Sequence, residues 1–293
     1  MISSRLLPHA QLGTEEFRLL RDLFYEHAGL HYDDDAMFLF ERRLVDRVEA
    51  LGLDDFYAYY KFLRFDPRGP GELEEAIERL TTKETYFFRQ EYQLRAFRDQ
   101  LLPELAQTNA GRRRLGIWSA GCATGEEAYT IAILLFESGL FRNWDVKVVG
   151  SDICRGSVAA ARRGIYREAA FRTTSHEIRH QYFSRVDDGC EVAPELKKIC
   201  HFGQLNLMDG GRALMIPQVD VIFCRNVLIY FDMKSRRRVI DGFYERLVPG
   251  GYLLLGHSES LLNVSTAFEL VHLREDLVYR KPVLAWRFNG QRT

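Results

Sequence analysis

From Leu115 onward the chain alternates short apolar runs with helix-patterned stretches, and this alternation constrains its fold more than any other feature. Leu115 to Ala120 reads as a strand, Glu126 to Leu140 as a helix, Val146 to Ser151 as a second strand and Arg155 to Arg163 as a second helix. Val219 to Cys224 is an unbroken apolar strand, followed by a helix from Met233 to Leu247 and a strand from Gly251 to Gly256. Strands that alternate with helices predict an α/β fold, a mostly parallel sheet with helices on both faces. Phe268 to Arg280 holds two apolar runs around Arg274-Glu275-Asp276 and reads as a hairpin, which would add an antiparallel strand to that sheet. Val186 to Phe202 breaks the rhythm; its turn signal Asp187-Asp188-Gly189 marks a small insertion at about 186–203.

The first part of the chain has a different period. Phe17, Leu20, Phe24 and Ala28 recur at helical spacing, as do Met37, Phe40, Leu44, Val48 and Leu51 after an expected Asp33 cap. A third helix is expected over Asp55 to Arg64. The breaker cluster Asp66-Pro67-Arg68-Gly69-Pro70-Gly71 follows. The expected layout is an all-α domain at 1–70, a linker helix and active-site segment at 71–90, and an α/β domain at 91–293.

Composition narrows the function classes. A net charge of -1 supplies no field toward nucleic acid or an anionic membrane. No apolar run approaches the roughly 18 residues of a membrane span, and the N-terminus has no long apolar segment of the secretory kind. Cys122, Cys154, Cys190, Cys200 and Cys224 are scattered and never paired as C-x-x-C, which disfavours zinc ligation and a disulfide framework and fits reduced thiols in the cytoplasm. No metal site is expected, since the histidines show no ligand spacing either. Nothing calls for an obligate partner, so a monomer is expected.

Ligands of open parallel sheets bind at the carboxyl ends of the strands. The first strand runs into Ser119-Ala120-Gly121-Cys122-Ala123-Thr124-Gly125-Glu126-Glu127, the second ends in Gly150-Ser151-Asp152, and a later one ends in Cys224-Arg225-Asn226. A glycine after the first strand permits close backbone approach, and an acid after the second accepts ribose hydroxyls. That pair alone suits a dinucleotide enzyme equally well. The loop is not G-x-G-x-x-G, however, and Glu126 and Glu127 at the helix start would repel a pyrophosphate. They suit a ligand with an ammonium and a sulfonium, although acids at a helix N-terminus also simply favour the dipole.

Five stretches then fall in one order: Thr81-Thr82-Lys83-Glu84-Thr85-Tyr86-Phe87-Phe88-Arg89, the Ser119 to Glu127 loop, Ser151-Asp152-Ile153, Phe223-Cys224-Arg225-Asn226-Val227-Leu228-Ile229-Tyr230-Phe231-Asp232, and Gly256-His257-Ser258-Glu259-Ser260. In these the chain resembles the chemotaxis receptor glutamate methyltransferases, the CheR family, over almost its whole length. The resemblance implies a Rossmann-like class I methyltransferase sheet with a small antiparallel insertion, plus an all-α N-terminal domain. It implies S-adenosylmethionine as cofactor, S-adenosylhomocysteine as product, and the cytoplasmic helical domain of chemotaxis receptors as partner. By motif position it implies that Lys83, Thr85 and Arg89 lie at the cofactor, that Glu126 holds the methionyl amino group and Asp152 the ribose hydroxyls, that Asn206 and Leu207 flank the adenine, and that Asn226 and Val227 contact the methionyl part. Arg89 and Tyr230 are the implied catalytic residues. Lys83 stands where the family usually has Asn, and Ala128 where it commonly has Pro. The short 186–203 segment lacks the glycine-rich pattern of members that dock a receptor C-terminal pentapeptide, so independence of such a tether is expected.

The chemistry asks little of a catalytic apparatus. A glutamate carboxylate, with a reference pKa of about 4.3, is already an anionic nucleophile at neutral pH. Alignment and desolvation are what remain to be supplied. Arg89 suits carboxylate orientation, or a structural ion pair. Tyr230 sits between Ile229 and Phe231 and fits packing as well as catalysis. His257 and Glu259 read as a hydrogen-bonded loop shaping the pocket floor. Arg42, Arg43 and Arg47 form a candidate docking face, with a solvated helix face as the plainer reading. Three other function classes stay open: a nucleic-acid methyltransferase, which would be expected to carry Asn-Pro-Pro-aromatic where Asn226-Val227-Leu228 stands; a non-catalytic cofactor-binding regulator; and an NAD enzyme.

Overall fold

The computed structural model describes residues 10–283; residues 1–9, within the N-terminal stretch read above for a secretory segment, and residues 284–293 lie outside them. The chain opens with four helices: α1 (Thr14–Ala28), α2 (Met37–Ala50), α3 (Phe56–Phe65) and α4 (Gly69–Leu80). Their apolar stripes meet around Phe40, whose ring takes edge contacts from Phe17 at 5.1 Å, Phe24 at 5.5 Å and Tyr32 at 4.9 Å. Of the residues expected to face inward here, Phe17, Leu20, Phe24, Ala28, Phe40, Leu44 and Val48 are buried, while Met37 and Leu51 are half-buried against the same core. Asp55 caps α3 by accepting from the Ala58 N–H at 2.7 Å. Asp33 does not cap α2. It precedes a 3-10 turn, Asp34–Ala36, and its carboxylate lies 3.4 Å from His31 Nε2. The breaker cluster turns the chain from α3 into α4, and α4 buries Leu73, Ala76, Ile77 and Leu80 in the same helical core.

One buried carboxylate locks this core. Glu72, on α4, accepts from Arg47 Nε at 2.9 Å and Nη2 at 2.5 Å and from the Tyr59 hydroxyl at 2.8 Å. Arg47 is therefore spent inside the helical unit and is withdrawn from the docking face expected on α2. Arg42 and Arg43 remain exposed.

After an irregular stretch the chain forms α5 (Glu91–Ala96), a π-helical turn and α6 (Leu102–Thr108). The sheet follows. Its strands are β1 (Arg114–Ala120) and β2 (Asp145–Asp152), then β6 (Cys200–Gln204), β7 (Val219–Cys224), β8 (Leu247–Leu255), β9 (Glu269–His272) and β10 (Leu277–Arg280). The spatial order is β6-β2-β1-β7-β8-β10-β9. The first five run parallel, and β10 returns antiparallel on β8 with β9 as its hairpin partner. β7 is buried at every position, as its unbroken apolar run requires in a central strand covered on both faces. The one acid in that strand, Asp220, is satisfied by the Asn109 and Arg112 side chains and by the Gly116 N–H at 2.9 Å. Helices α7 (Glu126–Ser138), α8 (Arg155–Arg163), α9 (His176–Tyr182), α10 (Pro194–Ile199), α11 (Gly210–Ala213) and α12 (Met233–Arg246) complete the described elements.

A second, antiparallel sheet holds β3 (Ile165–Tyr166), β5 (Gly189–Val192) and β4 (Phe183–Val186) in that order. The Asp187-Asp188-Gly189 signal is the turn between β4 and β5. The small sheet nevertheless occupies 165–192 and not 186–203, because residues 200–204 pair in parallel with β2 as the edge of the main sheet. Its first strand is only two residues long and left no periodic trace.

The strand order reverses between β2-β1 and β7-β8, so the crevice outside the carboxyl ends of β1 and β7 is the topological switch point. The helical unit sits against it. Leu30 and Phe231 form an isolated antiparallel bridge, the His31 N–H donates to the Tyr230 carbonyl at 2.9 Å, and the Tyr25 hydroxyl donates to Asp232 at 2.9 Å.

Replacing Arg47 with Met should leave the Glu72 carboxylate buried without a cation. We expect a loss of about 3 kcal/mol in the helical unit, read as a lower urea midpoint by circular dichroism; an unchanged midpoint would show the pair to be dispensable.

Candidate active site

The site is built at the carboxyl ends of β1, β2, β6 and β7 and closed by the segment between α4 and α5. That segment, residues 82–90, is irregular rather than helical. Phe87 pins it. Its ring is fully buried, stacked on Phe171 at 5.2 Å and edge-on to Tyr166 at 4.8 Å and Phe183 at 4.9 Å. Its backbone is held by the Ala170 carbonyl at 3.0 Å and the Thr173 hydroxyl at 2.7 Å. The small antiparallel sheet thus anchors one aromatic, and the neighbours Thr85 and Arg89 face the cleft. Phe88 and Gln90 adopt left-handed φ of 60° and 57° on either side of Arg89. An aromatic at such a φ is a true outlier, and its strain is held in place by the surrounding contacts.

The contact that fixes this loop comes from Arg225, the residue after β7. Its side chain is 3% exposed and pairs with Glu127 at 3.3 Å. Its Nη2 also donates to the Arg89 carbonyl and to Gln90 Oε1. Burial pushes the Glu127 carboxyl up, while Arg225 beside it and the Ser119 hydroxyl at 2.7 Å pull it back. The sequence places Arg225 in a strand-end cluster without marking a role for it. The available signal was an arginine directly after an all-apolar strand, where only a paired or ligand-facing cation survives burial.

The next turn is set by a carboxylate. Glu259 accepts from the backbone N–H groups of Asn226 at 2.8 Å, Val227 at 2.9 Å, Ile229 at 3.3 Å and Gly256 at 2.7 Å. The loop after β8 therefore shapes the pocket floor through Glu259. Asn226 is held at a φ of 60°, and its Oδ1 is buried with no hydrogen-bond partner. Gly121, at a φ of 76°, lies so close to this turn that a Cβ there would sit 2.4 Å from Val227 Cγ2.

Lys83, Thr85, Arg89, Asp152, Asn206, Leu207, Asn226, Val227 and Tyr230 all line one cleft, which encloses roughly 1230 Å³ with its open mouth included. Glu126 does not line it. Successive helical residues point about 100° apart, and here Glu127 faces the cleft while Glu126 turns inward and accepts from the Thr124 hydroxyl at 2.7 Å. Burial raises the Glu126 carboxyl above its usual range. Asp152 holds the middle of the cleft and accepts from the N–H groups of Ala123 at 2.8 Å and Cys154 at 2.9 Å. Burial raises its carboxyl too, offset by those two bonds and by Lys83. The Lys83 ammonium pairs with Glu78 at 2.8 Å, and Glu78 also accepts from the Gly156 N–H at 3.0 Å. Arg89 donates to the Glu84 carbonyl at 2.8 Å. Asn206 donates to the His27 carbonyl of α1 at 2.6 Å. Ala28 and Leu30, from the helical unit, also line the cleft, although no motif marks them.

The donor set fits an adenosyl amino acid. A buried carboxylate between two loop N–H groups suits ribose hydroxyls, Leu205 and Leu207 supply apolar walls, and the unsatisfied Asn226 Oδ1 calls for a donor such as an ammonium. Among the described residues no cluster of three metal-ligating side chains exists, and no helix is long and apolar enough to cross a membrane.

A family model described as the SAM binding domain of CheR methyltransferase matches residues 83–277, and one described as its all-alpha domain matches 15–81. The Chemotaxis protein methyltransferase 2 of Vibrio cholerae is 35% identical over 269 residues, which are 91% of this chain and 93% of that one. The Chemotaxis protein methyltransferase of Vibrio parahaemolyticus is 38% identical over 281 residues, 92% of this chain and 98% of that one. Among solved structures, the N-methyltransferase NodS from Bradyrhizobium japonicum in complex with S-adenosyl-l-homocysteine is 16% identical with a TM-score of 0.37, over 64% of this chain and 87% of that one, a likeness too slight to carry weight.

The raised carboxyls set a pH dependence. A ligand whose hydroxyls and ammonium were held by Asp152 and its acidic neighbours would need their ionised forms, so its affinity would be complete at high pH and fall as protons add. Because burial has moved these groups up, the fall begins above the range of about 4 where exposed carboxylates titrate. Calorimetric titration of S-adenosylhomocysteine from pH 8 to pH 5 should show it, and Asp152→Asn should flatten the profile. A profile flat in the unaltered protein contradicts the assignment.

Proposed function

Because this chain belongs to the CheR methyltransferase family, and is thereby an S-adenosylmethionine-dependent protein methyltransferase, we propose that it esterifies glutamate side chains of chemotaxis receptors. The observation that carries this reading is the pairing, in one cleft, of an adenosyl-type donor set with Arg89, whose guanidinium donates to the Glu84 carbonyl and lies over the Tyr86 ring with no carboxylate partner among the described residues. A bound S-adenosylmethionine supplies a methyl group activated on sulfonium. The protein's part is binding, orientation and exclusion of water.

Asp152 accepts the ribose hydroxyls, Asn206 and Leu207 border the adenine, and Lys83 and Thr85 close the cleft over the nucleoside. Asn226 Oδ1 and Val227 meet the methionyl part. The ammonium goes to the acidic start of α7, and we assign it to Glu127, which faces the cleft, in place of Glu126. Arg89 aligns the incoming carboxylate, as a guanidinium does through two parallel bonds. Tyr230 walls off the reacting atoms on the side of the helical unit, where it packs against that unit's core. No group has to remove a proton, because the acceptor arrives as an anion. We further propose that the enzyme acts as a monomer in the cytoplasm, on the helical domain of its receptor.

Methyl-labelled S-adenosylmethionine incubated with receptor-containing membranes should give label that mild base releases as methanol. Asp152→Ala should weaken S-adenosylhomocysteine binding about 10- to 100-fold, the worth of one charged hydrogen-bonding group, with a matching loss of label. Base-stable label, or none on a receptor-sized protein, contradicts carboxyl methylation.

β4 forms an edge of the small sheet, and the turn joining it to β5 spans only Asp187 and Asp188, so no longer loop stands there to clasp a receptor segment against that edge. A receptor fragment with its C-terminal residues removed should be methylated at the same rate as the intact fragment; a drop of tenfold or more would restore a tether.

A further inference from the structure

Around the mouth of the cleft lies a rim that the cofactor contacts do not use. Ile229 lines the cleft yet is 45% exposed, Met233 at the start of α12 is 43% exposed, and Leu262 is 77% exposed. Hydrogen bonds join them into one surface. The Ile229 and Gly256 N–H groups both donate to Glu259, which sets the turn after β7 beside the loop after β8. The Leu262 N–H donates to the Ser260 hydroxyl at 3.0 Å, holding Leu262 to that loop. Arg237, one turn after Met233 on the same helix face, donates to the Asn263 carbonyl at 3.2 Å. Lys234, Arg237 and Arg238 are exposed on the first turns of α12. The carboxylate at that helix start, Asp232, is committed to the Ser235 N–H at 2.8 Å and the Tyr25 hydroxyl at 2.9 Å. Among the described residues Lys234 and Arg238 have no ion-pair partner.

We propose that this apolar and cationic rim docks the helix that presents the acceptor glutamate, and that the fitting partner is an acidic amphipathic helix. The inference rests on the receptor-glutamate reading above and adds where, and by what chemistry, the substrate is recognised. Continuity names the occupant. A segment that delivers a carboxylate to Arg89 and Tyr230 passes over Ile229, which is cleft wall and rim at once. A helix puts side chains three and four residues apart on one face. One face can therefore lower a glutamate into the cleft and rest a small or apolar side chain on Ile229 and Leu262. Further carboxylates one turn along meet Lys234 and Arg238. Exposed apolar groups bordered by charge are the usual mark of such a contact.

The test is steady-state methylation of a receptor fragment by the full chain, alongside S-adenosylhomocysteine affinity. Leu262→Ser and the double variant Lys234→Glu with Arg238→Glu are both surface changes. Each should raise KM for the fragment at least tenfold and leave S-adenosylhomocysteine affinity unchanged. A fragment whose flanking acids are changed to Lys should regain turnover with the charge-reversed enzyme. Unchanged KM in both variants, with an active wild type, overturns the rim alone. A wild type that methylates no receptor fragment overturns the substrate reading and the rim with it.

Discussion

A single buried cation organises the catalytic end of this molecule. Arg225 leaves β7 where water is excluded, and a guanidinium there is costly unless its charge is paired. Its two terminal nitrogens reach two other parts of the chain, Glu127 at the start of α7 and the Arg89 carbonyl with Gln90 in the loop before α5, while Nε stays buried without a partner. The sheet, its first crossover helix and the lid-like segment are thereby tied at one point. Coulomb attraction at 3.3 Å acts in a low-dielectric setting, where the geometry of the pair is stiff. The stiffness is passed to the root of Arg89 through its main chain, while its guanidinium is placed separately by the Glu84 carbonyl and the Tyr86 ring.

A carboxylate does the complementary task on the other side. Glu259 gathers the backbone donors of the turn after β7 and holds Asn226 in a left-handed conformation. Phe88, Gln90, Ala123 and Asn226 all have positive φ, and all lie in or beside the loops that form the cleft. Strain concentrated around a cleft, and held by buried polar contacts, is what preorganisation looks like in a backbone.

The main-sheet strands with long apolar runs were legible because burial on both faces leaves an unmistakable pattern, and β7 is the clearest case. The helices α1 and α2 were legible from their inward-facing Phe and Leu spacing. β3 was not, since two residues carry no period, and β6 was misread because Cys200-His201-Phe202-Gly203-Gln204 is not apolar enough for a buried strand; it survives at the sheet edge. In the site, Asp152, Asn226 and Arg89 could be singled out because each follows a strand end or a distinctive motif. Glu126 and Glu127 could not be told apart, because adjacency in sequence does not say which helix face meets the cleft. Arg47 looked like surface charge, and only the three-dimensional position of Glu72 revealed it as a core residue. Ala28 and Leu30 were invisible as pocket residues, since nothing in a small apolar side chain points to a ligand.

Those last two residues bear on how freely the halves of this protein could be exchanged. The corner at the end of α1 supplies Ala28 and Leu30 to the cleft wall and offers the His27 carbonyl to Asn206. The helical unit is therefore not a detachable recognition module bolted to a self-sufficient enzyme. A chimera that took this unit from one relative and the sheet domain from another would inherit a hybrid cleft wall. Divergence in the helical unit is coupled, residue by residue at that corner, to the shape of the cleft.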